Sequence, residues 1–144
     1  IKMLEESLTN ASGCFFPYRN IATGECDHST IWHLLVSYWT AVKETFPEAW
    51  ALPPTKSRLM HGVGIRAMGK LMDRIISSGN GLHNNAVKEF KRELAFVAPS
   101  CRWTSGNWEE LGGIRFDDLQ NVPKHLSVLS NYLVRKYLEK SSHR

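Results

Sequence analysis

The chain has 144 residues, 42% of them hydrophobic, which suits one domain with a sizeable core and is too short for two of ordinary size. Eighteen Lys and Arg against fourteen Asp and Glu leave a net charge of +4, a bias that permits an acidic partner without requiring nucleic acid. No apolar run approaches the ~20 residues of a membrane span, and no secretory leader is visible, so the expectation is a soluble, cytoplasmic protein without a membrane partner.

Taken in order, Ile1, Leu4 and Leu8 fall at helical spacing from the first residue, with no initiator methionine, and read as the end of a helix in the C-terminal piece of a longer protein. Asn10, Ser12 and Gly13 end that helix. Cys14 to Asp27 carries FFPYRNIATGEC, a non-periodic stretch with Pro17 and Gly24 that predicts an ordered loop. Asp27 or Ser29 caps the next helix, which runs to about Phe46 because Ile31, Leu34, Leu35, Tyr38, Trp39, Val42 and Phe46 recur at helical spacing. Between Pro47 and Pro54 the prolines and Trp50 predict a short, stiff connection.

The stretch from Pro53 to Ile76 organises the rest. A helix starting near Leu59 gathers Ile65, Met68, Leu71, Met72, Ile75 and Ile76 on a core face and sets Arg66, Lys70, Asp73 and Arg74 on a wet one. Gly62 and Gly69 nearly superimpose on the wheel, and each costs about 1 kcal/mol in a helix relative to Ala, so they predict a close crossing by another backbone. Residues 77 to 85 form a turn-rich loop. Ala86, Val87, Phe90, Leu94 and Val97 then make an apolar stripe opposite Lys88, Lys91 and Arg92, the pattern of a surface helix. After Pro99, residues 100 to 121 are rich in Trp, Gly and Asn and show no clear period; Asn107 and Glu110 are placed to form a capping pair. Pro123 opens a last helix whose buried side is Leu126, Leu129, Leu133 and Tyr137. No segment alternates with a strand period. The fold class is therefore mainly α, an irregular helical bundle of about four main helices with long ordered loops, in a single domain over 1–144.

Chemical motifs are sparse. His61, Gly62, Val63 and Gly64 precede a helix, but no strand leads into them, and they fit neither the dinucleotide fingerprint nor a P-loop. Cys14, Cys26, His28 and His33, with Cys101 or His61, offer enough N and S ligands for zinc, yet their spacing is irregular and contains no CxxC pair. The odd cysteine count fits reduced thiols better than a disulfide framework. Cys101 has no local nucleophile signature, and Glu109, Glu110, Asp117 and Asp118 read as surface and capping acids, so no catalytic residue and no cofactor is assigned. The remaining lead is cationic. Lys56, Arg58, Arg66, Lys70 and Arg74 are set to neutralise successive phosphates from one face, and they are the candidate nucleic-acid-binding residues. Arg102, Trp103 and Trp108 either add a stacking surface for bases or anchor the core under a loop.

Four stretches in fixed order, FPYRNIATGEC, FPEAWALPPTKSRLMHGVGIRAMGKLMDRI, CRWTSGNW and LQNVPKHLSVLSNYLVRKY, resemble the C-terminal part of the bacterial DGQHR-domain proteins, a group related to the DNA-phosphorothioation regulator DndB. The resemblance covers nearly the whole chain. It implies a bacterial, cytoplasmic setting and a helical accessory half of a DNA-associated protein, with DNA or a partner protein as the binding target. The Asp-Gly-Gln-His-Arg signature of that group is absent here and belongs to an upstream domain, so its activity is not carried over. Two other expectations stand beside this one: an oligomerisation module without a ligand of its own, and a metal- or nucleotide-dependent enzyme fragment.

Overall fold

A computed structural model describes residues 2–10, 13–20 and 25–143. Among them are five α-helices: α1 (Lys2–Thr9), α2 (His28–Thr45), α3 (Gly62–Ser77), α4 (Ala86–Leu94) and α5 (Pro123–Ser141). This is the mainly helical bundle with long loops that the sequence predicts, four main helices joined by a short α1. Two antiparallel ribbons accompany them, β1 (Arg19–Asn20) with β2 (Glu25–Cys26) and β3 (Asn107–Trp108) with β4 (Ile114–Arg115). Strands of two residues are too short to display a period-two pattern, which is why the sequence carries no sign of them. Of the loop expected over 14–27, residues 21–24 and the side chain of Cys26 lie outside the described residues. No helix among the described residues is long and apolar enough to cross a membrane.

Local chemistry sets the helix ends. Asp27 caps α2, accepting from the Thr30 amide at 3.2 Å and from Thr30 Oγ1 at 2.8 Å. The next helix begins at Gly62 rather than near Leu59, because Arg58–Met60 wind into a 3-10 turn and His61 becomes the cap, its Nδ1 accepting from the Val63 amide at 3.2 Å. α4 stops at Leu94, while Val97 is buried in the turn beyond it. The capping pair expected of Asn107 and Glu110 does not form: the turn Glu109–Leu111 follows Trp108 without a side-chain cap, and Glu110 pairs with Lys136 at 2.5 Å instead.

α2 packs on α4 and α3 packs on α5. Tyr38 joins the two pairs, its hydroxyl donating to the Met68 carbonyl at 2.7 Å while its ring meets Phe90 edge-on at 5.5 Å. Leu34, Tyr38, Met68, Leu71, Met72, Ile75, Phe90, Leu94, Leu129, Leu133 and Tyr137 are buried around that junction. Each such side chain contributes on the order of 2 kcal/mol by leaving water. Ile65 is only half-buried, at the edge of this core.

At Gly62 and Gly69 the close neighbour is a side chain and not the backbone that the wheel predicts: Asn121 at Gly62, and Met3 of α1 at Gly69. A Cβ on Gly69 would stand 2.1 Å from Met3 Cγ, so the absent side chain is the niche that Met3 fills. Gly64 is tighter still, with a Cβ position 1.8 Å from the Arg58 carbonyl oxygen. At both positions the missing side chain serves packing.

Among the described residues two carboxylates are buried. Asp73 is not on the wet face that the wheel assigns it: its Oδ1 accepts from Ser7 Oγ at 2.7 Å and from the Cys14 amide at 3.1 Å. α1 and the residues after it cover the boundary between the two faces of α3, and Asp73 satisfies their donors. Glu93, on α4, accepts from Tyr137 of α5 at 2.8 Å and from Asn80 at 3.2 Å.

Candidate nucleic-acid interface

The five predicted cations do not share one accessible surface. Arg58 is 7% exposed, and its guanidinium serves the fold, Nη1 donating to the Pro54 carbonyl at 2.7 Å and Nη2 to the Asp117 carbonyl. Arg66 and Lys70 converge on one acid of α1: Arg66 Nε meets Glu6 Oε1 at 2.8 Å and Lys70 Nζ meets Glu6 Oε2 at 2.6 Å. Arg66 Nη1 also donates to Asn121 Oδ1 at 2.9 Å. Burial pushes the Glu6 carboxyl up, but the hydrogen bonds and charges of Lys70 and Arg66 outweigh it and hold the group below the usual glutamate range. Lys56 and Arg74 remain exposed, Lys56 in the loop before the 3-10 turn and Arg74 in the last turn of α3.

A second cationic surface lies where α4 begins. Asn85 occupies the cap position without a side-chain hydrogen bond, so the first amides of α4 keep free donors at the positive end of the helix dipole. Two open grooves of about 470 and 510 Å³ meet there and share Asn84, Asn85 and Lys88; His33 and Lys91 extend one, His83 and Arg92 the other. Part of this charge is already met, Lys91 by Glu44 at 3.2 Å and His83 by Glu89 at 2.9 Å. Glu89 also accepts from the Gly81 amide at 2.9 Å, which ties the loop 77–85 to α4. Lys88 and Arg92 are the exposed cations left on this edge, Arg92 only loosely paired with Glu93 at 3.8 Å. Their direction is readable in the sequence, since both lie opposite the apolar stripe of α4; that they flank an uncapped helix end is not.

The Trp-rich segment resolves toward the core. Trp103 and Trp108 pack edge to face at 5.2 Å, Trp108 meets Tyr132 at 5.8 Å and Trp103 meets Phe46 at 6.2 Å. Both indoles are buried, which removes them as a platform for bases. The exposed tryptophan is Trp32, 69% open on α2, with Val36 exposed one turn along. Trp32 lies off the Ile31, Leu34, Tyr38 stripe, and that wheel position is the signal that marks it as a surface residue.

The Cys and His candidates are placed apart in role. Cys14 is buried beside Asp73, and burial followed by the Asp73 charge raises its thiol far above the usual range. Cys101 donates to the Val97 carbonyl at 3.4 Å, and burial pushes its thiol up to about 12. Neither is a thiolate ready to ligate or attack. His61 caps α3, His33 Nε2 sits 3.1 Å from the Gly81 carbonyl, and His28 is exposed in the first turn of α2. Among the described residues no three His, Cys, Asp or Glu side chains gather as a metal site. No family model matches the chain, and neither a curated protein nor a solved structure matches it.

Proposed function

We propose that the chain is a non-enzymatic helical accessory domain of a DNA-associated bacterial protein, and that it contributes contacts to the DNA phosphates. The resemblance to the DGQHR-domain proteins supplies the setting, in the bacterial cytoplasm. The observation that carries the reading is the edge of α4, where Lys88 and Arg92 flank an uncapped helix amino end. Cations and free amides together attract phosphate without reading sequence. Lys56 and Arg74 are the secondary contacts, and Arg66 and Lys70 join only if Glu6 lets them go.

The test is a salt series of duplex and single-strand DNA binding. The unaltered chain binds at low salt, and Lys88→Ala with Arg92→Ala reduces the steepness of log K against log salt by about one for each phosphate that is no longer neutralised. No binding at low salt, or an unchanged slope in the double variant, refutes the reading.

A second reading rests on Trp32 and Val36, an apolar pair exposed one turn apart on α2. On it, the domain joins a partner protein or a second copy through this face. Sedimentation that shows a monomer at all concentrations, identical for Trp32→Ser, removes the self-association form.

A further inference from the structure

α3 and α5 each start beside an imidazole. His61 Nδ1 accepts from the Val63 amide at 3.2 Å, and His125 Nδ1, in the first turn of α5, accepts from the Gln120 amide at 2.8 Å just ahead of that helix. The two starts share a corner, since Asn121 stands with its Nδ2 2.7 Å from where a Gly62 Cβ would lie. An amide N–H can only donate. His61 Nδ1 must therefore offer a lone pair, which places the proton of the neutral ring on Nε2 and reserves this cap for the uncharged form. The residues preferred at a helix cap, Ser, Thr, Asp and Asn, keep one protonation state through the neutral range, and histidine does not.

What the cap holds is the join between α3 and the 3-10 turn at Arg58. The Gly64 backbone presses on the Arg58 carbonyl, with a Cβ position 1.8 Å from that oxygen, and the His61 amide donates to the same carbonyl at 3.3 Å. Arg58 donates its own amide to the Trp103 carbonyl at 2.9 Å, so the first turn of α3 is tied to the Trp-rich segment.

A proton on His61 acts against this join in two ways. It removes the acceptor of the Val63 amide, and it adds a cation at the positive end of the α3 dipole, near Arg58. The other charged groups of the packed elements offset it little. On α3, Arg66 and Lys70 are cations held by Glu6 of α1, and Lys124 and His125 stand at the start of α5. In the 3-10 turn Phe116–Asp118, Asp117 pairs with Arg115 at 2.9 Å and Asp118 is exposed. Burial first, and then Arg58, holds the folded imidazole below the usual histidine range.

We infer that His61 is a pH-sensitive latch at the start of α3, closed by the neutral imidazole and released by its protonation. Because the folded chain resists the proton, the contribution of His61 is complete above the usual histidine value and is lost as pH falls through the lower, folded one. That loss sets in at milder acidity than the loss of Glu6.

Ring ¹⁵N shifts of the labelled chain, followed from about pH 8 to about pH 5, test this together with urea unfolding at the two ends. At about pH 8 His61 Nδ1 carries no proton; on acidification His61 titrates below the usual histidine value, and the Val63 amide moves with it. Acid also lowers the folding equilibrium constant of the unaltered chain by about fivefold more than that of His61→Asn, the effect of losing one side-chain cap, since asparagine caps without titrating. A proton on Nδ1 at about pH 8, a titration at or above the usual value, a Val63 amide that does not follow it, or equal acid losses in the unaltered chain and His61→Asn would overturn the inference.

Discussion

The polar edges of α3 and α4 carry similar charge on similar helical wheels and end in opposite conditions. On α3 the cations meet Glu6, an acid 60 residues away from Arg66, and the adjacent Asp73 is sealed beneath Ser7 and Cys14. On α4 Lys88 and Arg92 stay exposed beside a helix end without a side-chain cap. Charge pattern on one helix thus says which side is polar. Whether that polarity is available to a partner is decided by a remote segment of chain.

The difference can be broken at several points. The largest effect is expected at Gly64→Ala, whose methyl group would sit 1.8 Å from the Arg58 carbonyl oxygen and 2.7 Å from its carbon, with backbone atoms that cannot swing aside. A loss of about 3 kcal/mol in urea unfolding is expected, and near-native stability would mean that the turn at Arg58 does not lie against α3. Asp73→Ala follows, at about 2–3 kcal/mol, because the Ser7 hydroxyl and the Cys14 amide lose their acceptor in a buried place. Asp73→Asn keeps one acceptor and costs less; equal losses for the two would refute the hydrogen-bonded account.

Glu6→Gln is the sharper probe of the comparison, at about 1 kcal/mol for a half-buried pair of contacts. It should also free two cations, so polyanion affinity rises and the salt slope steepens; affinity that stays level would show that α1 does not mask this face. Acid should act in the same direction. The folded Glu6 carboxyl lies below its unfolded value, so its contribution is complete above the ordinary glutamate range and is lost as pH falls through the folded value. In Glu6→Gln that part of the acid transition should vanish. The smallest effect belongs to the open edge: Lys88→Ala and Arg92→Ala should each move stability by less than about 0.5 kcal/mol, since neither supports the core.

Much of the fold is legible in the sequence because it is written locally. Asp27 followed by the stripe from Ile31 to Phe46 marks α2, and Pro123 followed by Leu126, Leu129 and Leu133 marks α5. Where the reading fails, the deciding contact is distant. Asp73 is buried by Ser7 and Cys14, 66 and 59 residues away, and Arg58 is drawn inward by a carbonyl 59 residues downstream. The Trp103–Trp108 pair shows the same limit, since its burial depends on Phe46 and Tyr132, far apart in the chain. Of the candidate interface, the exposed side of α4 is legible and the missing cap is not, because Asn85 is a residue that normally supplies one.

The fastening of α1 has a consequence for time as well as for structure. α1 is held on α3 through Met3, Glu6 and Ser7, side-chain contacts that a local opening can break while the α2–α4 packing stays closed. Its amides should exchange with solvent through brief local detachment, well before those of α3, which open only with the whole domain. During each such excursion Lys70 loses Glu6, Arg66 keeps only Asn121, and Asp73 loses the Ser7 hydroxyl. The positive charge on this side of the molecule is therefore a population rather than a constant, set by how often α1 lifts away.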